Sequence, residues 1–175
     1  MSSVKRILFI IAPSSFRDEE LEEPKGILED AGCICDVAST TVSPVRGMLG
    51  LIVKPDVLVD NMSVENYDAV IVVGGSGSPV LSTNKKVLEI VQKAAQLGKV
   101  IGSICFGSLT TARAGVLKGK NGTGWKHAET VKAFQQNGAL YVDEGVVVDG
   151  GIVTAQGPQV ATAFGKKVLE LVKRV

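Results

Sequence analysis

The sequence contains few aromatic residues and has no large excess of charge of either sign, and each of these features excludes some classes of protein. Aromatic side chains make up only 5% of the 175 residues, so the core must consist mainly of Val, Ile, Leu and Ala. The formal net charge is +1, and basic residues cluster only in pairs such as Lys85-Lys86. Because a nucleic-acid groove usually needs a dense basic stripe with aromatics, we do not expect the protein to bind nucleic acid.

Cysteine is equally scarce, and the sequence has no long hydrophobic run. Three cysteines cannot all pair within one chain, so we expect free thiols in a reducing compartment, which points to the cytoplasm. The apolar run over residues 7–12 is too short for a signal peptide, and no run approaches the roughly 20 residues of a membrane helix. With a single histidine, the chain offers no recognisable set of zinc ligands. We therefore expect neither a membrane partner nor a bound metal.

Short apolar stretches alternate with amphipathic stretches along the chain. Strands are predicted over residues 7–12, 33–39, 69–73 and 99–103, with a hairpin over 146–154; helices are predicted over 19–31, 84–97, 106–114, 128–136 and 160–172. The mean hydropathy of +0.26 favours strands buried on both faces. These features predict an α/β fold with a mostly parallel central sheet, in a single domain spanning residues 1–175.

Local signals at the first helix add two expectations. Asp18 is placed to cap the helix, and Gly32 follows its end. Pro24 is expected in or near the first turn, the part of a helix that tolerates proline.

Three segments directly follow predicted strands: Pro13-Ser14-Ser15, Gly74-Gly75-Ser76 and Cys105. The carboxyl ends of parallel strands meet at one edge of the sheet, where such folds bind ligands, so we expect the functional site there. Residues 75–80 resemble half of a dinucleotide-binding fingerprint, but the third glycine is missing and Pro79 intrudes. We expect no cofactor, and interpret this run as a tight loop lining the site.

Cys105 lies in the most distinctive pattern of the sequence. Segment 102–108 reads Gly-Ser-Ile-Cys-Phe-Gly-Ser, which places small residues two positions either side of a nucleophile. A sharp strand-to-helix turn needs that spacing, because the backbones crowd there. The turn puts sulfur at a helix N-terminus, which favours thiolate. Backbone N–H groups of Phe106 and of Gly75 or Ser76 are then expected to form an oxyanion hole. The alternative is a buried structural cysteine.

A resemblance to a known family rests on several ordered segments. They are Ile7-Leu8-Phe9-Ile10; Phe16-Arg17-Asp18-Glu19-Glu20-Leu21 with Pro24; Tyr67-Asp68-Ala69-Val70 leading to Gly74-Gly75; Ile104-Cys105-Phe106-Gly107; Ala114-Gly115-Val116-Leu117-Lys118-Gly119; residues 143–150; and Gly157-Pro158. In these segments the chain resembles the ThiJ/PfpI superfamily, whose fold is related to the class I glutamine amidotransferases. The resemblance implies a flavodoxin-like three-layer sandwich with a nucleophile elbow. It also implies a homo-oligomer, either a dimer or a hexamer.

The resemblance implies that Glu20 lies beside Cys105. Glu20 occupies the family's glutamate position, four residues before Pro24. There the carboxyl is expected to keep its proton and to donate a hydrogen bond to the thiolate, which places no second negative charge at the site. From the residues alone, an exposed carboxylate in the first helical turn is the alternative.

The family's second catalytic residue, usually a histidine, is replaced at both of its usual positions. Phe106 stands directly after the cysteine, and Trp125 stands about twenty residues on. The only histidine is His127, 127 − 105 = 22 residues after Cys105. It reaches the site if residues 123–125 are extended, or else lies on the surface at the start of a helix. Trp125 either walls the pocket or packs in the core.

Other positions also depart from the family pattern. Ser108 and Gln156 replace the proline and arginine of many relatives, and the loop over residues 76–79 has no acidic residue. The protease-like branch uses an acidic residue there, so peptidase activity is not expected. Cys33 and Cys35 are separated by one residue, which predicts two core cysteines on one face of a strand.

The resemblance leads to one leading function and two alternatives. The leading hypothesis is a thiol-dependent hydrolase or lyase of amidase, deglycase or glyoxalase type, which attacks small carbonyl or amide substrates through Cys105. The first alternative is a redox sensor or stress chaperone that uses Cys105 without turnover. The second is a binding module that has lost its chemistry.

Overall fold

A seven-stranded sheet forms the centre of the computed structural model, which describes residues 3–175. Met1 and Ser2, the start of the predicted domain, lie outside the described residues. The strands of this sheet are β1 (Arg6–Ile10), β2 (Ile34–Ser39), β5 (Val57–Leu58), β6 (Ala69–Val72), β7 (Val100–Ile104), β10 (Val146–Asp149) and β11 (Ile152–Ala155). Their order is β10-β11-β7-β6-β1-β2-β5, and every pairing is parallel except that of β10 with β11.

Five helices and two small two-stranded sheets complete the fold. The helices are α1 (Asp18–Asp30), α2 (Lys85–Gln96), α3 (Gly107–Arg113), α4 (Ala128–Gln136) and α5 (Ala161–Val172). The small sheets pair β3 (Val45–Arg46) with β4 (Ile52–Val53), and β8 (Asn121–Gly122) with β9 (Leu140–Tyr141). Short 3₁₀ helices cover Val59–Asn61, Val64–Asn66, Ser78–Thr83 and Pro158–Val160. Within residues 3–175, no helix has both the length and the apolar character needed to cross a membrane.

The helices cover the sheet on both faces. Alternate side chains of β1 show this: Ile7 and Phe9 belong to the apolar cluster with α1 and α5, whereas Leu8 and Ile10 belong to the cluster with α2, α3 and α4. A strand buried on both faces reads as a continuous apolar run, which is why the sequence pattern identified these strands. The predicted three-layer α/β sandwich with a mostly parallel sheet is confirmed.

The first helix differs from the sequence expectation in two ways. Asp18 does not cap it: Arg17 is the cap residue, and the buried Asp18 carboxylate instead accepts hydrogen bonds from Leu49 N and Leu51 N, each at 2.8 Å. Pro24 lies in the helix interior and not in the first turn. Helix α5 packs closely against α1 at this proline: a Cβ on Gly165 would lie 2.8 Å from Pro24 Cα.

A glycine inside β7 provides a test of this packing. A Cβ on Gly102 would lie 2.9 Å from the Cζ atom of the fully buried Phe164. Because that ring has no room to move, we expect Gly102→Ala to lower the free energy of unfolding by about 1–3 kcal/mol in chemical denaturation.

Gly151→Ala is the matched control for this substitution. A Cβ on Gly151 would find no atom closer than 3.9 Å, so its effect on the unfolding free energy should be small. Equal effects of the two substitutions would contradict the packing argument.

Candidate active site

The structure places Cys105 on a strained turn between β7 and α3. Its φ of 59° is one of only two positive values at non-glycine positions among residues 3–175, the other being 55° at Ser15. The Cys105 N–H donates to Ala155 O at 2.9 Å, which holds the turn against the neighbouring strand β11. A side chain on Gly107 would overlap the backbone of Val72. The small residue after the nucleophile is therefore required, as the sequence pattern indicated.

Glu20 of α1 lies beside Cys105, at the carboxyl edge of the sheet. Its side chain is 0% exposed, and Oε2 accepts a hydrogen bond from Gly74 N at 2.9 Å. A Cβ on Gly74 would lie 2.5 Å from both Cys105 Cβ and Glu20 Oε2, so only glycine allows the two side chains to meet. Among the described residues, Oε1 has no hydrogen-bond partner, and the Cys105 side chain is near enough to the carboxyl to lower its pKa.

Burial controls the protonation of this pair. It raises the pKa of Glu20 to about 8, although the hydrogen bonds from Cys105 and Gly74 act in the opposite direction. At neutral pH the carboxyl therefore keeps its proton. Burial also raises the pKa of the Cys105 thiol, and the Glu20 charge raises it further, whereas the N–H groups of Gly75 and Phe106 lower it. The pKa of the Cys105 thiol is therefore raised, whereas its place at a helix N-terminus had led us to expect a lowered pKa. The cost of burying the thiolate outweighs the stabilisation by the helix dipole.

The expected oxyanion donors surround the sulfur, but they are not equivalent. The N–H groups of Gly75 and Phe106 both point to Cys105 Sγ. The N–H of Ser76 instead donates to Sδ of Met48 at 3.3 Å. Two of the three predicted donors thus stabilise charge on sulfur, and the third is held by a side chain that the sequence pattern did not single out.

Cys105 opens into a small pocket of about 160 Å³. The lining residues are Arg17, Glu20, Met48, Gly75, Ser76, Cys105, Phe106, Trp125 and Pro158. The side-chain walls are mostly apolar, and Arg17 is the only basic residue, with its guanidinium paired to Glu19 at 2.8 Å. The pocket therefore has room for a compound of a few heavy atoms with an uncharged, apolar end.

Trp125 is a wall of the pocket and not a core residue. Its backbone N–H donates to Cys105 O at 3.1 Å, which fixes it next to the elbow, and its side chain is 40% exposed. Its ring lies 6.5 Å from the ring of Phe106, centroid to centroid. Phe106 and Trp125, the two positions where a histidine was expected from the resemblance, are thus adjacent in space, and an aromatic ring stands at each.

The structure does not bring His127 into the pocket. His127 is the exposed N-cap residue of α4, and its Nδ1 accepts a hydrogen bond from Glu129 N at 3.2 Å. Its ring meets the outer face of Phe106 at a centroid distance of 5.5 Å, and it is not among the described residues that line the pocket. This is the surface position at a helix start that the sequence left open as the second possibility.

Sequence reasoning missed Arg17 and Met48 as lining residues. Arg17 lies in the loop after β1, at the functional edge of the sheet, so its position alone could have indicated it. Met48 comes from the turn between β3 and β4, and no sequence signal connected that turn to Cys105. Cys33 and Cys35 are partly buried on the edge of the core, and within residues 3–175 no cluster of His, Cys, Asp or Glu side chains is arranged to hold a metal ion.

An elbow cysteine beside a buried glutamate, on a parallel sheet between two helical layers, defines a class of thiol-containing α/β proteins. Residues 5–171 match the DJ-1/PfpI family, and the chain belongs to that family. Uncharacterized protein MJ0967 of Methanocaldococcus jannaschii is 39% identical, with 97% of this chain and 83% of that protein covered. Deglycase PH1704 of Pyrococcus horikoshii is 32% identical, with 96% and 99% covered. The crystal structure of a ThiJ/PfpI domain protein from Brachyspira murdochii has a TM-score of 0.89 and 30% identity, with 99% of each chain covered.

The raised pKa of Glu20 predicts a pH-dependent loss of stability. A carboxyl with a higher pKa in the folded state binds its proton more tightly there, so its contribution is complete below about pH 4.5 and declines as the pH rises through 8. Glu20→Gln removes the charge and retains an oxygen for the Gly74 N–H. We expect the variant to become more stable than wild type as the pH rises from 5 to 8.5, by a few kcal/mol and at most about 5.

Denaturant titrations at several pH values measure this difference. Glu22→Gln is the matched control, because Glu22 lies on the same helix and is exposed. Its pH profile should follow that of wild type. A Glu20→Gln profile parallel to wild type would show that the Glu20 carboxyl ionises normally in the fold.

Proposed function

We propose that this protein is a Cys105-dependent enzyme that acts on small carbonyl compounds, in the manner of a deglycase or glyoxalase. One observation carries the proposal: the buried Glu20 carboxyl, one oxygen of which has no hydrogen-bond partner, lies beside a cysteine held at φ 59° in the lining of a small pocket. The match to a relative named as a deglycase supports the same chemistry. Small amides remain candidate substrates of the same nucleophile.

The proposed reaction uses the form of the pair in which Cys105 has lost its proton and Glu20 has kept its own, a form that burial makes a minor one in the free site. Glu20 then donates a hydrogen bond to Sγ, while Gly75 N–H and Phe106 N–H stabilise the thiolate. The thiolate attacks an aldehyde carbon, and the oxygen of the new hemithioacetal takes the proton that Glu20 held. Glu20, now ionised, is placed to move a proton on the bound substrate, and water finally releases the product and the thiol. For methylglyoxal the sum is methylglyoxal plus water to lactate.

The raised pKa values of the pair predict how Cys105 responds to pH. Its alkylation should follow a midpoint that Glu20→Gln lowers, because the Glu20 charge raises the pKa of the thiol and the amide carries no charge. Peptide mapping after brief iodoacetamide treatment measures the rate at each pH, with Glu22→Gln as control. Cys35, whose pKa burial raises to about 12, provides an internal reference for an unactivated thiol. A midpoint raised by Glu20→Gln would instead show that the first proton leaves the thiol and that the Glu20 carboxyl stabilises the thiolate by donating to it.

Turnover itself is tested with methylglyoxal, with lactate followed by NMR. Cys105→Ser should abolish lactate formation, because the hydroxyl lacks a base able to activate it. Cys33→Ser and Cys35→Ser should turn over like wild type, since neither residue lines the pocket. Equal rates in wild type and Cys105→Ser would rule out the proposed nucleophile.

His127 has no place in the proposed proton transfers. Asn is an efficient helix N-cap, so His127→Asn should preserve α4 and remove only the imidazole. We expect turnover to remain close to wild type in this variant, measured in the same assay. A large loss of turnover without a loss of stability would return His127 to the reaction as a proton carrier.

The aromatic surface in place of a histidine favours one alternative, a redox sensor. In that role peroxide oxidises the thiolate to sulfenic acid and is itself reduced, with its second oxygen leaving as hydroxide. Selective oxidation of Cys105 by peroxide, together with no turnover of carbonyl substrates, would support the sensor. Inertness to both reagents would support the binding module.

We further propose that the protein works as a homo-oligomer built from one domain, residues 1–175. Exposed Leu49 and Ile52, in and beside the turn that carries Met48, provide apolar surface near the pocket. Light scattering on the purified protein distinguishes a dimer or hexamer from a monomer.

A further inference from the structure

The Met48 side chain occupies one wall of the Cys105 pocket. Its sulfur accepts the Ser76 N–H at 3.3 Å, and the side chain is 43% exposed to solvent on its other side. Met48 therefore separates the thiol from solvent and also engages the one nearby backbone donor that does not point to Cys105.

The backbone beneath Met48 is held firmly. Met48 N donates to Phe16 O at 2.8 Å, and the buried Asp18 carboxylate accepts from the N–H groups of Leu49 and Leu51. A Cβ on Gly47 would lie 2.6 Å from Asp18 Oδ2, so the turn packs directly on this carboxylate. These contacts fix the backbone of the turn. Motion at this wall of the pocket must therefore come from the Met48 side chain, which has three rotatable bonds.

We propose that Met48 is a movable cover that holds the Ser76 N–H in the free protein and releases it to the oxygen of the bound carbonyl compound. This inference rests on the function proposed above and assigns Met48 as a specificity-determining residue. The substrate's apolar substituent takes the space that the thioether leaves.

The displacement of Met48 is favourable because the Ser76 N–H exchanges a weak acceptor for a stronger one. A thioether sulfur is a weak acceptor, whereas an oxyanion forms charge-assisted hydrogen bonds that are roughly twice as strong as neutral ones. Ser76 N–H thus gains a better partner when the adduct forms, while Gly75 N–H and Phe106 N–H stay near sulfur. In the free protein, the weak hydrogen bond to Met48 Sδ also provides an acceptor for the Ser76 N–H.

The cover implies a preference among carbonyl substrates. A compound must offer an uncharged, flexible or small group to replace Met48 in the pocket that Trp125 and Pro158 also line. Larger carbonyl compounds are excluded while the cover is present. Removing the cover should therefore relax selection by size more than it changes the intrinsic reactivity of the thiol.

Alkylation of Cys105 by reagents of two sizes tests the steric part. Met48→Ala should accelerate the reaction with N-ethylmaleimide severalfold and the reaction with the smaller iodoacetamide less. Met48→Leu preserves an apolar cover of similar volume, so its rates should stay close to wild type. A Met48→Ala variant that keeps the wild-type ratio of the two rates would overturn the proposed cover.

Methyl NMR tests the motion without any turnover. In protein with ¹³C-labelled methionine methyl groups, Met48→Leu identifies the Met48 signal among Met1, Met48 and Met62. Carboxamidomethylation of Cys105 should shift that signal, and amide exchange at Ser76 should change with it. Met62, which is buried away from the pocket, should not respond.

The two proposals fail in different ways. A Met48 signal that does not move after Cys105 has reacted overturns the cover and leaves the nucleophile intact. A Cys105 that stays unalkylated in wild type, Met48→Leu and Met48→Ala overturns the proposed function, and the cover with it.

Discussion

The contact of Glu20 with Cys105 across Gly74 is the constraint on which the rest of the site depends. A carboxyl that is completely buried is costly unless it is neutral or well bonded, and here one backbone N–H serves one oxygen only. Burial therefore raises the pKa of this carboxyl and keeps it neutral beside the thiol. A larger residue at position 74 would separate Glu20 from Cys105, so their contact requires glycine at that position.

Three interlocked loops hold that contact in place. They follow the central strands β1, β6 and β7, and each contains one residue with positive φ: Ser15, Gly75 and Cys105. Arg17 N donates to Gly74 O at 2.9 Å, and Gly77 N donates to Ser15 O at 3.0 Å, so the first two loops support each other. Strained backbone persists only where the surroundings determine it, and the three-layer core supplies that rigidity.

The fold and the turn that carries Cys105 were predictable from the sequence because both leave local signals. Doubly buried strands read as apolar runs, and an elbow needs small residues at fixed spacing around Cys105. The rest depended on tertiary contacts. Asp18 has the composition of a helix cap but binds a distant turn, and that turn carries Met48 into the pocket. The sequence left two positions open for His127, and the pKa of the Cys105 thiol depended on burial, which no local pattern reveals.

Phe106 and Trp125, at the usual histidine positions, change the character of the site. An imidazole would add a second proton acceptor and, when charged, a counter-ion for thiolate. With aromatic rings there instead, neither position offers a titratable side chain, and Glu20 and Cys105 each shift the pKa of the other in addition to the larger effect of burial. In the proposed reaction, a proton that moves on the bound substrate must then pass through the Glu20 carboxyl.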